Sequence, residues 1–340
     1  MLGRPTGLVL HKAAKCHRSY TLFAPDHGRR VLLMDMEANI VHQWRVPRVH
    51  FAMLLPNHHL LHDTRFDENT PRGIRESDWD GNEVWSYECL WHHDAQRLAN
   101  GNTILLAHET VNNPAVYAGG EIEKNTKIIE VTREKELVWE WHSDRHIEEL
   151  KRLVGVKFPR PDMDWTHSNS VQVLPETPAG QKDARFKAGN VIISHRRIST
   201  IAVIERETGE VVWAWGPGEI EAQHQANMLP NGHILLFDNG PRRGYSRVVE
   251  LDPLTEEIVW EFKDDPPPFM HARALSGQQR LPNGNTFICA GGMADGRLLE
   301  VTPDREVVWD FRNPWADRAD GRTKVYRAYR YDPEFVEAML

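Results

Sequence analysis

Short apolar runs alternate with turn-forming clusters along the chain, and few stretches carry a helical period. The fullest example is residues 223–240, QHQANMLPNGHILLFDNG. His224 opens a mixed apolar–polar stretch, a Pro-Asn-Gly turn follows, and residues 234–237 form an apolar run that ends in Asp-Asn-Gly. Variants of the same cassette read HFAMLLPNHHLL from His50, HHDAQRLANGNTILL from His92, HSNSVQVLP from His167 and SGQQRLPNGNTFI from Ser276. Apolar runs of this length, bounded by Asn-Gly turns, predict β-strands joined by tight hairpins, because both central turn residues must tolerate positive φ.

A second phrase recurs in step with the first. It is a β-branched stretch ending in tryptophan: IVHQW (Trp44), EVWSY (Trp85), LVWEW (Trp139), VVWAW (Trp213), IVWEF (Trp260) and VVWDF (Trp309). Another strand precedes most of these, as in TKIIEVT, TIAVIERE, SRVVELDP and GRLLEVTP. A unit of roughly 40–50 residues built from four short strands is the signature of a propeller blade. The pattern therefore predicts an all-β chain, a six-bladed β-propeller forming a single domain over residues 1–340. The N-terminal SYTLFAP, RRVLLMDME and NIVHQW supply three strands of a blade that lacks its first. The C-terminal VYRAYRY is a strand without followers. Pairing the two completes a blade and removes exposed sheet edges. The long interval between Trp139 and Trp213 holds an insertion at about residues 143–164, expected over one face as a lid. Residues 146–154 carry the best helical pattern, and residues 333–340 suit a terminal turn.

The first strand of a propeller blade lines the central channel, so the cassette openings are expected to converge. His50, His93, His167, His224 and Ser276 would form a ring, with Arg327 or a neighbour on the closing strand in sixth place. His92 and His271 lie near enough to contribute. A lone histidine at a strand start is more often a packing residue. Four at matching places of different repeats point to a site. Trp91 and Trp165 each precede a channel histidine by two residues and are candidate aromatic walls. The recurring tryptophans belong to the fourth strands and are read as packing between blades. Asp238 in FDNG could hold a metal or orient a histidine, but Asp-Asn-Gly more often makes a turn through side-chain to backbone bonds.

Composition narrows the class. Hydrophobic residues make up 40% and charged residues 26%, with a net charge of −8, which does not suit a nucleic-acid or anionic-membrane surface. Neither a signal-peptide h-region nor a membrane-spanning run is present, so a soluble, cytoplasmic protein is expected. The three cysteines are far apart without CxxC spacing and read as free thiols.

The set HDAQRLANGNTIL, DWTHSNSV, IISHR, QHQANMLPNGHILLFDNG, YSRVVELD and SGQQRLPNGNTFI resembles the bacterial aryl-sulfate sulfotransferase family of propellers over roughly residues 84–330. That resemblance implies transfer of a sulfuryl group from a phenolic sulfate ester to a phenol through a sulfohistidine, with no nucleotide donor and no cofactor. By motif the nucleophile falls on His224, supporting histidines on His93 and His167 with Asn169 beside it, and an anion-holding arginine on Arg196. His50, Ser276, His271, Trp165 and Arg327 would complete the binding of a small aromatic or anionic substrate. The family often has threonine followed by lysine where Ser276-Gly277 stand here, which removes a cation from the site. Its characterised enzymes are exported and have an additional N-terminal domain. Two alternatives stay open on the residues alone. One is a metal-dependent lyase or hydrolase of an anionic sugar or lactone, with one divalent ion held by His93, His167 and His224. The other is a non-catalytic binding propeller.

Overall fold

The structure, a computed structural model, describes residues 5–64, 68–114, 121–155, 164–266, 269–316 and 321–340. The fold is all-β, a six-bladed β-propeller built from six antiparallel sheets, in four of which the strands neighbour one another in chain order. The chain divides into two compact units, Leu90–Lys263 and Met1–Cys89 with Asp264–Leu340. Three sheets belong to each. Among the described residues no helix is long and apolar enough to cross a membrane.

In the unit Leu90–Lys263, the third blade runs through strands Trp91–Arg97, Thr103–Asn112, Glu121–Val131 and Leu137–His142. The fourth has Ser168–Val173, Val191–His195, Thr200–Ile204 and Val211–Trp215, and the fifth His224–Met228, Ile234–Asp238, Arg247–Asp252 and Glu257–Phe262. Their first strands are bridged by side chains. Gln96 accepts from the Val173 amide at 2.9 Å, and Gln172 accepts from the Met228 amide at 2.8 Å. Asp94 and Ser170 do the same for the amides of Val171 and Ala226. These short polar residues satisfy backbone donors where strands of different sheets approach without a ladder.

The other unit holds the remaining blades. The closing strand Val325–Tyr331 pairs with Tyr20–Pro25, followed by Arg30–Met34 and Ile40–Arg45, so the expected union of the two chain ends is present. One element was not expected: Gly7–His11 adds a fifth strand to the sixth blade beside Val307–Arg312.

The recurring tryptophans bind the turn of the following blade. Trp44 Nε1 donates to Asp78 O, Trp139 to Arg206 O, Trp213 to Glu256 Oε1 and Trp309 to Met36 O, at 2.9–3.2 Å. A one-residue bulge on each fourth strand precedes the tryptophan position. The bulge register places His42, not Trp44, in that position in the first blade, opposite Leu33. Across from it in four other blades stand Glu76, Glu130, Glu250 and Glu300. Each accepts from the cassette turn: His59, Asn102, His233 and Asn285, at 2.6–2.8 Å. The Asn-Gly hairpin is therefore tied to a buried carboxylate on the third strand.

Trp309 is fully buried among Phe23, Met34, Phe287 and Phe311. Trp309→Ala opens a large cavity and leaves the Met36 carbonyl unbonded. It should cost about 3–5 kcal/mol, read as a lowered urea midpoint.

The insertion contains a helix, Ile147–Val154, that ends at Gly155 in the left-handed region, with the Gly155 amide donating to Lys151 O. Ile147 and Leu150 bury against Trp141, Val211 and Ala214, and Glu149 accepts from the Val211 amide at 2.7 Å. This part packs at the edge of the fourth blade. Residues 156–163 of the insertion lie outside the described residues.

Candidate functional site

Strand register decides which cassette residues are equivalent. The first strands enter their hairpins at Leu54, Arg97, Val173, Met228 and Arg280. Four residues earlier stand His50, His93, Asn169, His224 and Ser276. The bond from the Arg330 amide to Gln279 matches those made by Gln96 and Gln172, so Tyr326 and not Arg327 takes the sixth place. His167 also falls out of line. It precedes its blade's equivalent position by two residues, and Asn169 occupies that position.

In the unit Leu90–Lys263, His224 is buried at the start of its strand, and its Nδ1 lies 2.7 Å from Asn239 Oδ1. An amide oxygen only accepts, so this bond calls for the proton of His224 on Nδ1. The next residue, Gln225, sits at φ +50° inside a bulge of the first hairpin. Asn169 Nδ2 donates 2.8 Å to the carbonyl of Gln223, tying the fourth blade to the residue before His224. The FDNG motif thus does more than turn the chain. Asn239 orients His224, while Asp238 is buried, takes the guanidinium groups of Arg243 and Arg247, and accepts from the Glu221 amide.

His93 and His167 meet, with ring centroids 4.8 Å apart at 66°. Both adopt left-handed backbone, at φ +62° and +46°. His93 Nδ1 is 2.9 Å from His92 Nδ1, and His92 stacks on His108 with centroids 3.9 Å apart. His167 Nδ1 is 2.5 Å from Asp164 Oδ2. Burial pushes the Asp164 carboxyl up, but the bond to His167 and the charges of His167, His108 and Arg197 outweigh it and hold the acid below its ordinary value. Arg196, in the turn after Val191–His195, is pushed down by burial and by Arg197, and Asp164 acts against both. The sequence names His92 as a contributor to the ring but does not single out Asp164, His108 and Asn239; the DWTHSNS phrase holds the signal for Asp164.

Trp165 does not form a wall. It lies in the apolar core with Ile104, Ile128 and Ile193, and its Nε1 donates to Asn125 Oδ1 at 3.2 Å. Below the site His195 is fully buried, with Nδ1 2.8 Å from Ser168 Oγ, and burial lowers its pKa to about 3.

The other predicted residues belong to the second unit. His50 Nδ1 is 2.8 Å from Asp26 Oδ1, and its ring stacks on Tyr326 at 3.9 Å. Ser276, at φ +86°, donates its amide to Tyr326 O and accepts from Gly292. Arg327 is buried, with its guanidinium 5.0 Å from the Tyr326 ring. His271 is half-buried in the connection before the sixth blade. Burial raises the Cys16 thiol to about 11 and the Cys289 thiol to about 12, so both remain protonated and neither is a nucleophile at neutral pH.

Among the described residues, the histidine and carboxylate group with ligand atoms close enough to share an ion is Asp26, His27 and His50.

No curated protein matches the chain. Among solved structures, a protein of unknown function from Bacteroides caccae superposes with a TM-score of 0.62 at 13% identity, covering 92% of this chain and 99% of that one. A streptogramin B lyase superposes with a TM-score of 0.53 at 12% identity, covering 96% and 93%. At such identities the likeness is one of fold alone. The family model for arylsulfotransferases (ASST) matches residues 64–314, most of the chain. The chain belongs to the arylsulfotransferase family.

Proposed function

We propose that the protein moves a sulfuryl group from a phenolic sulfate ester to an acceptor phenol through a sulfohistidine on His224, without a nucleotide donor or a metal. Family membership supports a sulfotransferase-type function and a transferase in general terms. The observation that carries the finer reading is the pairing of His224 with Asn239, which fixes one tautomer and leaves Nε2 as the nucleophilic atom.

In the first half-reaction Nε2 attacks sulfur, the sulfur–oxygen bond to the aryl group breaks, and the phenolate leaves with a proton from an acid. In the second, the acceptor phenol oxygen attacks sulfur, its proton passes to the same group, and the sulfur–nitrogen bond breaks. His167, hydrogen-bonded to Asp164, suits that acid–base role. Arg196 and His93 suit the charge on the three non-bridging sulfuryl oxygens.

A nitrophenyl sulfate donor, a phenol acceptor and a chelator, without nucleotide, form the direct assay. Acceptor-dependent release of nitrophenol is the expected result, and its absence rejects the proposal. Asn239→Leu should lower kcat about 100-fold with little change in KM, because the tautomer is no longer fixed. Steady-state kinetics on the folded variant reads this effect.

A further inference from the structure

We infer that Asp26, His27 and His50 form a binding site for a divalent transition-metal ion of the zinc type, built from residues that the proposed sulfuryl transfer does not use. All three lie in the unit that contains the chain ends. Their ligand atoms fall within 4.8 Å of one another. Asp26 Oδ1 is 2.8 Å from His50 Nδ1 and 3.5 Å from His27 Nε2. With metal–ligand bonds of about 2.0–2.2 Å, neighbouring ligands around an ion stand about 3.0–3.5 Å apart. The observed spacing therefore needs only small side-chain shifts to enclose an ion. Two imidazoles and one carboxylate are a donor set for zinc and similar ions, and three protein ligands leave positions open.

The ligands are held in place before any ion arrives. Asp26 and His50 are buried. The amide of Asp26 donates to Lys324 O, and that of Val49 to Gly28 O, which fastens the segment before His50 to the hairpin that carries Asp26 and His27. Asp63 Oδ1 accepts the amides of both His50 and Phe51, and Tyr326 stacks on the His50 ring. His27 has φ +60°, in the left-handed region, and its Nε2 lies 3.5 Å from Asp26 Oδ1. These are the supports a metal site requires beyond its ligands.

His27 also lines a cavity of about 700 Å³ with Arg29, Arg30, Arg45 and Arg48. Its positive charge opposes a bare cation, and the Asp26 carboxylate offsets part of that. It favours an ion that carries a small anion on its open positions.

Equilibrium dialysis of metal-depleted protein against Zn²⁺, and titration with Co²⁺ followed by visible absorption, test the site. One equivalent should bind, with a Co²⁺ band in the visible. His27→Gly suits the left-handed turn, so this variant keeps the fold while its affinity falls by about 100-fold or more. Asp26→Asn should weaken binding comparably. No uptake of either ion by the wild-type protein would overturn the inference. So would His27→Gly binding as tightly as wild type, since the ion would then be held elsewhere. Neither readout depends on sulfuryl transfer, so the two proposals stand or fall separately.

Discussion

His224→Asn should lower sulfuryl transfer by about 10⁴-fold or more, the scale seen when a covalent nucleophile is removed. The effect belongs on kcat, because the lost bond forms only after the ester is bound. His224 is buried at a strand start, so a change in folding must be checked alongside the rate. Asparagine keeps a polar group near Asn239 and avoids an unfilled cavity. A folded variant with wild-type turnover would remove the nucleophile from the account. A variant that loses KM but keeps kcat would make His224 a binding residue.

The second large effect is loss of stability in mild acid. His62 and His195 are fully buried, and burial lowers their pKa values from 6.5 to about 4 and about 3. Above pH 6.5 both are neutral folded and unfolded, and neither makes stability depend on pH. Below it, the unfolded chain takes up protons that the fold excludes. The stability lost grows as pH falls and levels off only below the folded values. At pH 5 the loss is about 2 kcal/mol for each histidine. Urea unfolding at pH 7.5 and pH 5 reads this difference. His62→Gln and His195→Gln should each flatten the pH dependence by about that amount, whatever they do to stability at pH 7.5. A slope unchanged in both variants would mean that other groups drive acid unfolding.

Much of the blade plan was legible in the chain because hairpin chemistry repeats. Asn-Gly turns, β-branched runs and a tryptophan on every fourth strand marked the strands and the union of VYRAYRY with the N-terminal blade. Register was the weak point. A bulge shifts the count by one without changing the local composition. The cassette openings therefore equate His167 with His93 and His224, where the distance from the hairpin selects Asn169. The same cause puts Trp44 in a place that belongs to His42, and leaves the sixth place open between Arg327 and its neighbour Tyr326. The third-strand glutamates, as in IIEVT and VVELD, looked like ordinary polar positions. Their partners lie 15–28 residues away on a neighbouring turn, and only pairing brings them together.

The candidate site divides in the same way. His93, His167, His224, Arg196 and Asn169 all lie in the unit Leu90–Lys263, and the motif phrases named each of them. The residues that tune them were harder to find. Asn239 was hidden in a motif that serves equally well as a turn, and Asp164 reaches His167 only because both sit at the bend before the first strand. Trp165 was misjudged because spacing from a histidine does not say which side of the strand faces the core.

The central claim is a covalent bond between sulfur and the Nε2 atom of His224, and trapping it is the most direct test. The protein is mixed with a phenolic sulfate donor in the absence of acceptor, quenched under alkaline conditions, digested and analysed by mass spectrometry. The account predicts one SO₃ group on the peptide containing His224, discharged when a phenol is added before the quench. Turnover in the parallel assay with no sulfated histidine, or with the group on a histidine other than His224, would contradict it.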